Sequence, residues 1–312
     1  MANHARRLDL LLVEVSAFAA YTVIGLSLGA IFALAALGIV LIYRATGVLN
    51  FAHGAMGMFS TFVAWQVFYR WEPSWMPGWA LTTTAVLAGL AFAVVLGLVL
   101  ELAVFQWVRT RPPITKAVVT IGVLLALQSA ASLIWKNNQY HLPIYIAPQA
   151  WTFQVAGVPI GANSIVIVVV AIGLAFGLAA FLQFTRMGRA MRAVSDDPVS
   201  ASLWAVPVGK VGAVSWMLGS FIAAVAGILI TPFINFDTTS LTLIIIDALA
   251  AALIGGLVSL PLTVLGGFVL GLLETYPSIW IQSLGFPRLI ALLVIVGVLI
   301  FRAPRGMPVA NR

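Results

Sequence analysis

Long apolar runs alternate with short polar breaks along almost the whole chain. The runs fall at about 11–43, 54–69, 79–107, 114–135, 163–184, 211–231, 241–260, 262–280 and 286–302. A hydrocarbon core roughly 30 Å thick needs about 20 apolar residues in a helix that rises 1.5 Å per residue. The pattern therefore predicts an all-α polytopic integral membrane protein with about eight to nine spans. The first run exceeds one crossing, so its helix is expected to start in the interface or to break near Gly25 to Gly29. Gly25, Gly29 and Ala33 recur every four residues, a face that admits close approach of another helix. Gly267 and Gly271 repeat that spacing late in the chain. The tight link through Gly255, Gly256 and Pro261 points to a re-entrant or broken pair.

The longest polar break is Arg186 to Lys210, with four cations and the adjacent carboxylates of Asp196 and Asp197. Gly188 reads as a left-handed helix stop at the end of a span. Arg189 to Val194 suits a turn or two of helix. Asp197-Pro198 reads as an N-cap followed by proline at the first helical position. That second helix runs through Ser202 and stops before Pro207. Ala193, Val194, Ala201, Leu203 and Trp204 then have no lipid to face. A compact knob with an apolar face and a charged rim needs a groove to fill, unless it rests on its own membrane domain.

Three other breaks carry signals. Asn50, His53 and Gly54 sit where the chain re-enters the membrane, and an unpaired Asn or His at that depth is costly. Each serves either as a cap and packing group or as lining of a translocation path. Trp71, Trp75 and Trp79 look like interfacial anchors. Residues 136–162 hold one Lys, one His and no acid, and the alternation near Trp151 to Val155 predicts a small hairpin or lid.

Composition narrows the class. The 312 residues are 62% hydrophobic and 8% charged, with a mean hydropathy of +1.10. A soluble domain carries roughly 25% charged residues, so a single transmembrane domain over 1–312 is expected, with no attached soluble domain. The +7 net charge comes from cations at span ends and needs no nucleic acid. Without cysteine there is no disulfide, thiol nucleophile or Cys-ligated metal. Three His and scattered acids form no nucleophile–base set, so no catalytic residue, metal or cofactor is expected. No G-x-x-x-x-G-K-[ST] phosphate loop occurs. Segments 44–54, 108–116, 185–210, 260–262 and 302–312 share one side of the membrane and hold eleven of the sixteen Lys and Arg residues. The excess makes that side cytoplasmic and puts 136–162 outside. Glu101 is expected to pair or snorkel at its basic span end. Asp247 and Glu274 fall inside or near spans, where buried charge is a functional candidate.

The segments Gly25-Leu26-Ser27-Leu28-Gly29-Ala30, Asn50-Phe51-Ala52-His53-Gly54 and Gly188-Arg189-Ala190 to Asp196-Asp197-Pro198, with Ala248 to Gly256 followed by Gly266, Gly267 and Gly271, carry a family resemblance. From about 20 to 302 the chain resembles the permease subunits of branched-chain amino-acid ABC importers. The resemblance implies a bundle of the type II importer kind in the inner (plasma) membrane. It also implies a second permease subunit, paralogous or identical, cytoplasmic ATPase subunits, an external solute-binding protein and a pathway between the membrane subunits. In that family the polar loop binds the ATPase. The matching positions are Gly188, Arg189, Ala193, Asp196 and Ala201, with Asp197 beside them. Asn50, His53 and Asp247 become translocation-path candidates. Branched-chain amino acids lead as solutes, with other small amino acids, urea and short amides still open. One departure stands out: Ala205 occupies a place where the family usually has glycine. The competing reading is a self-contained carrier or channel that uses Asp247, Glu274 and His53 as intramembrane charges.

Overall fold

The computed structural model describes residues 2–70, 76–144, 151–155, 158–281 and 285–302. The apolar runs become helices α1 (Ala2–Thr46), α2 (His53–Arg70) and α3 (Gly78–Leu100). A π turn at Glu101–Phe105 continues α3 into the short α4 (Gln106–Val108), and α5 (Pro113–Trp135) follows. Strands β1 (Thr152–Val155) and β2 (Val158–Gly161) precede α6 (Ala162–Phe184). The polar break forms α7 (Arg186–Asp196) and α8 (Pro198–Leu203). Then come α9 (Val208–Leu229), α10 (Ser240–Ile254), α11 (Leu260–Thr275) and α12 (Phe286–Arg302).

Among the described residues, five stretches have the length and composition to cross a membrane: Phe18–Thr46, Gly78–Val108, Pro113–Trp135, Ala162–Phe184 and Val208–Leu229. Helices α10 and α11 are apolar but only 15 and 16 residues long. At 1.5 Å per residue they reach about 22–24 Å, short of a hydrocarbon core of about 30 Å. The link between them turns at Gly256 with φ +67°, so this is the broken pair that the sequence suggests.

Helix α1 is the centre of the bundle, packed by α6, α7, α9, α10 and α11. It runs unbroken through Gly25 to Gly29, which removes the break from the two alternatives that the length of the run left open. A break in lipid would strand backbone polar groups. The glycines instead bring α1 against α11: a Cβ on Gly29 would lie 2.8 Å from the Gly267 carbonyl oxygen, and one on Gly267 would lie 2.6 Å from Ala33 Cα. Lipid gives helix pairs no hydrophobic driving force, so contact dispersion between close backbones carries this interface.

A second layer sets α3 and α2 on α9, with α5 on α2. Phe62 stacks on Trp135 at 4.9 Å, and Trp135 Nε1 donates to Gln66 Oε1 at 2.9 Å. At that end of the bundle Tyr140 and Phe236 exchange backbone hydrogen bonds at 2.8 and 2.9 Å. The expected hairpin is present: β1 and β2 pair antiparallel from Thr152 with Gly161 to Val155 with Val158. Trp79 is exposed at the start of α3, as an interfacial anchor would be; Trp71 and Trp75 lie outside the described residues. At the opposite end, residues of four polar breaks line one cavity: 43–47, 109–116, 194–202 and 257–258.

Candidate functional site

The polar break folds as two helices joined by a capped corner. Thr185 has extended backbone, φ −89° and ψ 156°, and its hydroxyl accepts from the Gly188 N–H at 2.9 Å. The stop between α6 and α7 is therefore Thr185, and Gly188 lies inside α7 with no positive φ. That corrects the left-handed reading of Gly188. Its glycine is needed for approach: a Cβ there would overlap Leu182 and the Phe181 carbonyl as α7 folds back on α6. Helix α7 is amphipathic, with Gly188, Met191 and Val194 buried and Arg186, Arg189 and Arg192 exposed.

Asp197 is the N-cap that the sequence predicts, with Pro198 at the first turn of α8. Its carboxylate accepts from the Val199 N–H at 2.9 Å and from the Ser200 hydroxyl. The Ser200 hydroxyl and the Val199 and Ser200 backbone N–H groups hold this carboxyl below the ordinary carboxylate range. At the other end, Val206 N–H donates to Ala201 O at 3.0 Å and Ala205 N–H to Ser202 O at 3.1 Å. This bond pair is the left-handed helix cap usually built on glycine. Here Ala205 fills it at φ +57°.

The cap and corner present an outward apolar face: Val199 is 69%, Leu203 82% and Trp204 85% exposed. Of the positions expected to meet a partner, Arg189, Asp196 and Asp197 are exposed and Ala193 is half-buried. Gly188 and Ala201 are buried and shape the knob from within. Val199 was not singled out in the sequence; its place in the helix after Pro198 was the available signal.

The second region lies inside the bundle. After α1 the chain turns back, and Val48, Asn50 and Ala52 are buried. Asn50 Oδ1 accepts from the Ala52 N–H at 3.0 Å, and its Nδ2 reaches Met56 Sδ at 3.3 Å. Asn50 thus forms the turn that starts α2. His53, 1% exposed, sits against Ala35 and Gly38 of α1. Gly38 is eight residues before the end of α1, so the chain has returned by about 12 Å along that helix. The cavity beside His53 is about 10 Å³, bounded by Gly57, Ala223 and Ala248. Among the described residues neither imidazole nitrogen meets hydrogen-bond geometry with a partner.

Asp247 is on α10 but does not line the His53 cavity, which Leu241, Ile244, Ile245 and Ala248 of that helix face. It lies within electrostatic range of Glu274 on α11 and of Arg288 on α12. Asp247 Oδ1 and Glu274 Oε1 are buried and lack hydrogen-bond partners among the described residues. Neither acid lines the His53 cavity. Glu101, 1% exposed, pairs with Arg109 across the π turn, as its basic span end suggested.

Apolar helices ranged round one buried helix, with an amphipathic helical knob at one end, define a multi-pass membrane protein of the permease class. The family described as "Branched-chain amino acid transport system / permease component" matches residues 21–303, and the chain belongs to it. It is a multi-pass protein of the inner membrane. It is 28% identical over 270 residues to the high-affinity branched-chain amino acid transport system permease protein LivH of Escherichia coli K12, covering 83% of this chain and 85% of the relative. It is 29% identical over 266 residues to BraD of Pseudomonas aeruginosa, covering 81% and 83%. It is 26% identical over 288 residues to a probable LivH of Methanocaldococcus jannaschii, covering 88% and 87%. No solved structure matches the chain.

Proposed function

We propose that this chain is the membrane subunit of an ATP-driven importer for branched-chain or other small amino acids, moved by a separate ATPase that grips α7 and α8. The observation that carries this reading is the outward face of Val199, Leu203 and Trp204 on a helix capped at both ends. Apolar surface left in water forgoes roughly 25 cal/mol per Å² of burial. Such a patch outside the spans marks a partner's seat.

The knob is connected to the interior. Helix α7 packs on α6, α1 and α9. Helices α1 and α9 bound the His53 cavity through Ala35 and Ala223. Closure of nucleotide-loaded ATPases would push the knob, shift α1 against α9 and open the interior at His53. Asn50 holds the turn that delivers His53 to that seam. The end bearing Arg44, Arg109, Lys116 and the α7 arginines is the cytoplasmic one by its cation excess, with residues 136–162 outside. A second permease subunit completes the pathway, and an external binding protein delivers the solute. The relatives' names, which specify branched-chain amino acids, support the solute class.

The carrier reading needs His53, Asp247 and Glu274 to converge. Neither acid lines the His53 cavity, which favours the importer instead. Asp247 keeps a place as a second path candidate beside α12.

The test is uptake and ATP hydrolysis by the reconstituted complex. Arg189→Ala with Asp196→Ala, and separately Leu203→Ser with Trp204→Ser, should abolish ATP-dependent uptake and leave the thermal stability of the isolated chain unchanged. Uptake that persists in both variants, or uptake by the purified chain without ATP, overturns the reading.

A further inference from the structure

The knob roofs a cavity that transport does not explain. It has a volume of about 760 Å³ and lies between the end of α1, the α4–α5 corner, the α7–α8 corner and the α10–α11 link. That volume is in the range of ligand pockets, about 300–1,000 Å³. Three cations reach it from separate parts of the chain: Arg44, Arg109 and Lys116. Among the described residues no carboxylate lines it.

All three cations are half-buried. Lys116 and Arg109 lie within electrostatic range of each other, and no acid lines the cavity among the described residues. Glu101, outside the cavity wall, already neutralises Arg109, so among the described residues Arg44 and Lys116 are the lining cations without a carboxylate partner. Arg44 Nη1 donates to the Val258 carbonyl at 3.2 Å, which pins one of its five N–H donors and fixes the guanidinium at the cavity edge. The Lys116 Nζ sits beside the end of α1, 3.7 Å from where a Gly47 Cβ would be. Thr46, Ser195 and Ser202 contribute hydroxyl-bearing side chains.

We propose that this cavity binds the phosphate headgroup of an anionic phospholipid. A phosphate is the group whose charge and several acceptor oxygens suit Arg44 and Lys116, with the Glu101-paired Arg109 beside them. Its source follows from location. The cavity lies at the ends of apolar spans, where lipid phosphates lie. Trp107 (73% exposed) and Ile114 (79% exposed) present large apolar side chains at the α4–α5 corner. Basic pockets between transmembrane helices bind such headgroups. A bound phosphate would tie α1 and α5 to the knob. The inference holds without transport activity and whichever compartment this end faces.

The experiment uses the purified full-length chain in nanodiscs, either phosphatidylcholine alone or an equal mixture with phosphatidylglycerol, with retained lipid read by native mass spectrometry. The wild type should retain phosphatidylglycerol in preference. At about 1 kcal/mol per cation, Lys116→Gln should lower that affinity about five-fold and the Arg44→Gln, Lys116→Gln pair about 25-fold. Lys116→Arg should restore retention, and Arg70→Gln, at the far end of α2, should leave it unchanged. Stabilisation of the wild type by millimolar inorganic phosphate in phosphatidylcholine discs, lost in the same variants, would move the source from lipid to free anion and overturn the headgroup. Equal retention in all variants would overturn the site.

Discussion

Gly29 of α1 faces the carbonyl oxygen of Gly267 on α11 so closely that a Cβ on Gly29 would lie 2.8 Å from it. Two small-residue stripes, more than two hundred positions apart, are thus halves of one seam. Gly29→Leu or Gly267→Leu should force the helices apart at a cost of about 1–3 kcal/mol or more. Gly173→Leu, with open space around its Cα, should be harmless. Thermal unfolding in detergent distinguishes them; equal melting of all three would dissolve the seam argument.

Gly38 and His53 make a second close pair, since a Cβ on Gly38 would overlap the imidazole. Gly38→Ala alone should destabilise by about 1–3 kcal/mol. In the His53→Ala background the same change should cost little, a coupling of at least about 1 kcal/mol in a double-mutant cycle. Additive effects would place the imidazole elsewhere.

Ala205 pays for a left-handed backbone with no glycine to relieve it, at about 1–2 kcal/mol. Ala205→Gly should therefore slow amide exchange over 198–206 and raise the stability of the knob, while Ala205→Val should do the reverse. No change with glycine would mean that φ +57° is not held in solution.

The Asp197 cap sets a pH dependence. Its folded value lies below the ordinary carboxylate value, about 3.9, because Ser200 and the backbone N–H groups stabilise the charged form. A lowered value means that the contribution is complete above the unfolded value and fades as pH falls through the folded one. Exchange protection of α8 should be flat from pH 8 to 5 and fall only below about pH 4. Asp197→Asn, a competent cap without a titrating group, should remove that fall. Loss of protection near pH 6 would point to a different group.

Glu101 and Arg109 form a pair with Glu101 fully inside. Glu101→Leu should cost about 3–5 kcal/mol by leaving Arg109 without its counter-ion, whereas Glu101→Leu with Arg109→Leu should recover most of it. Thermal denaturation of the two variants checks the order.

Much of this architecture is local and so legible along the chain. Apolar runs of about 20 residues become helices because lipid offers no other partner for backbone groups. The Asp197-Pro198 cap, the hairpin after Trp151 and the basic end of the Glu101 span depend on neighbours within a few positions. The sequence determined the membrane class, the knob and the family. Tertiary structure decided what required distance in sequence to vanish. It named the partner of the α1 glycine face, because α11 supplies the backbone that meets it. It moved the stop from Gly188 to Thr185, because α7 folds back on α6. It left Asp247 out of the wall of the His53 cavity, and it gathered Arg44, Arg109 and Lys116 round one cavity. Periodicity shows which residues share a face, but the partner of that face is chosen by close packing across the whole bundle.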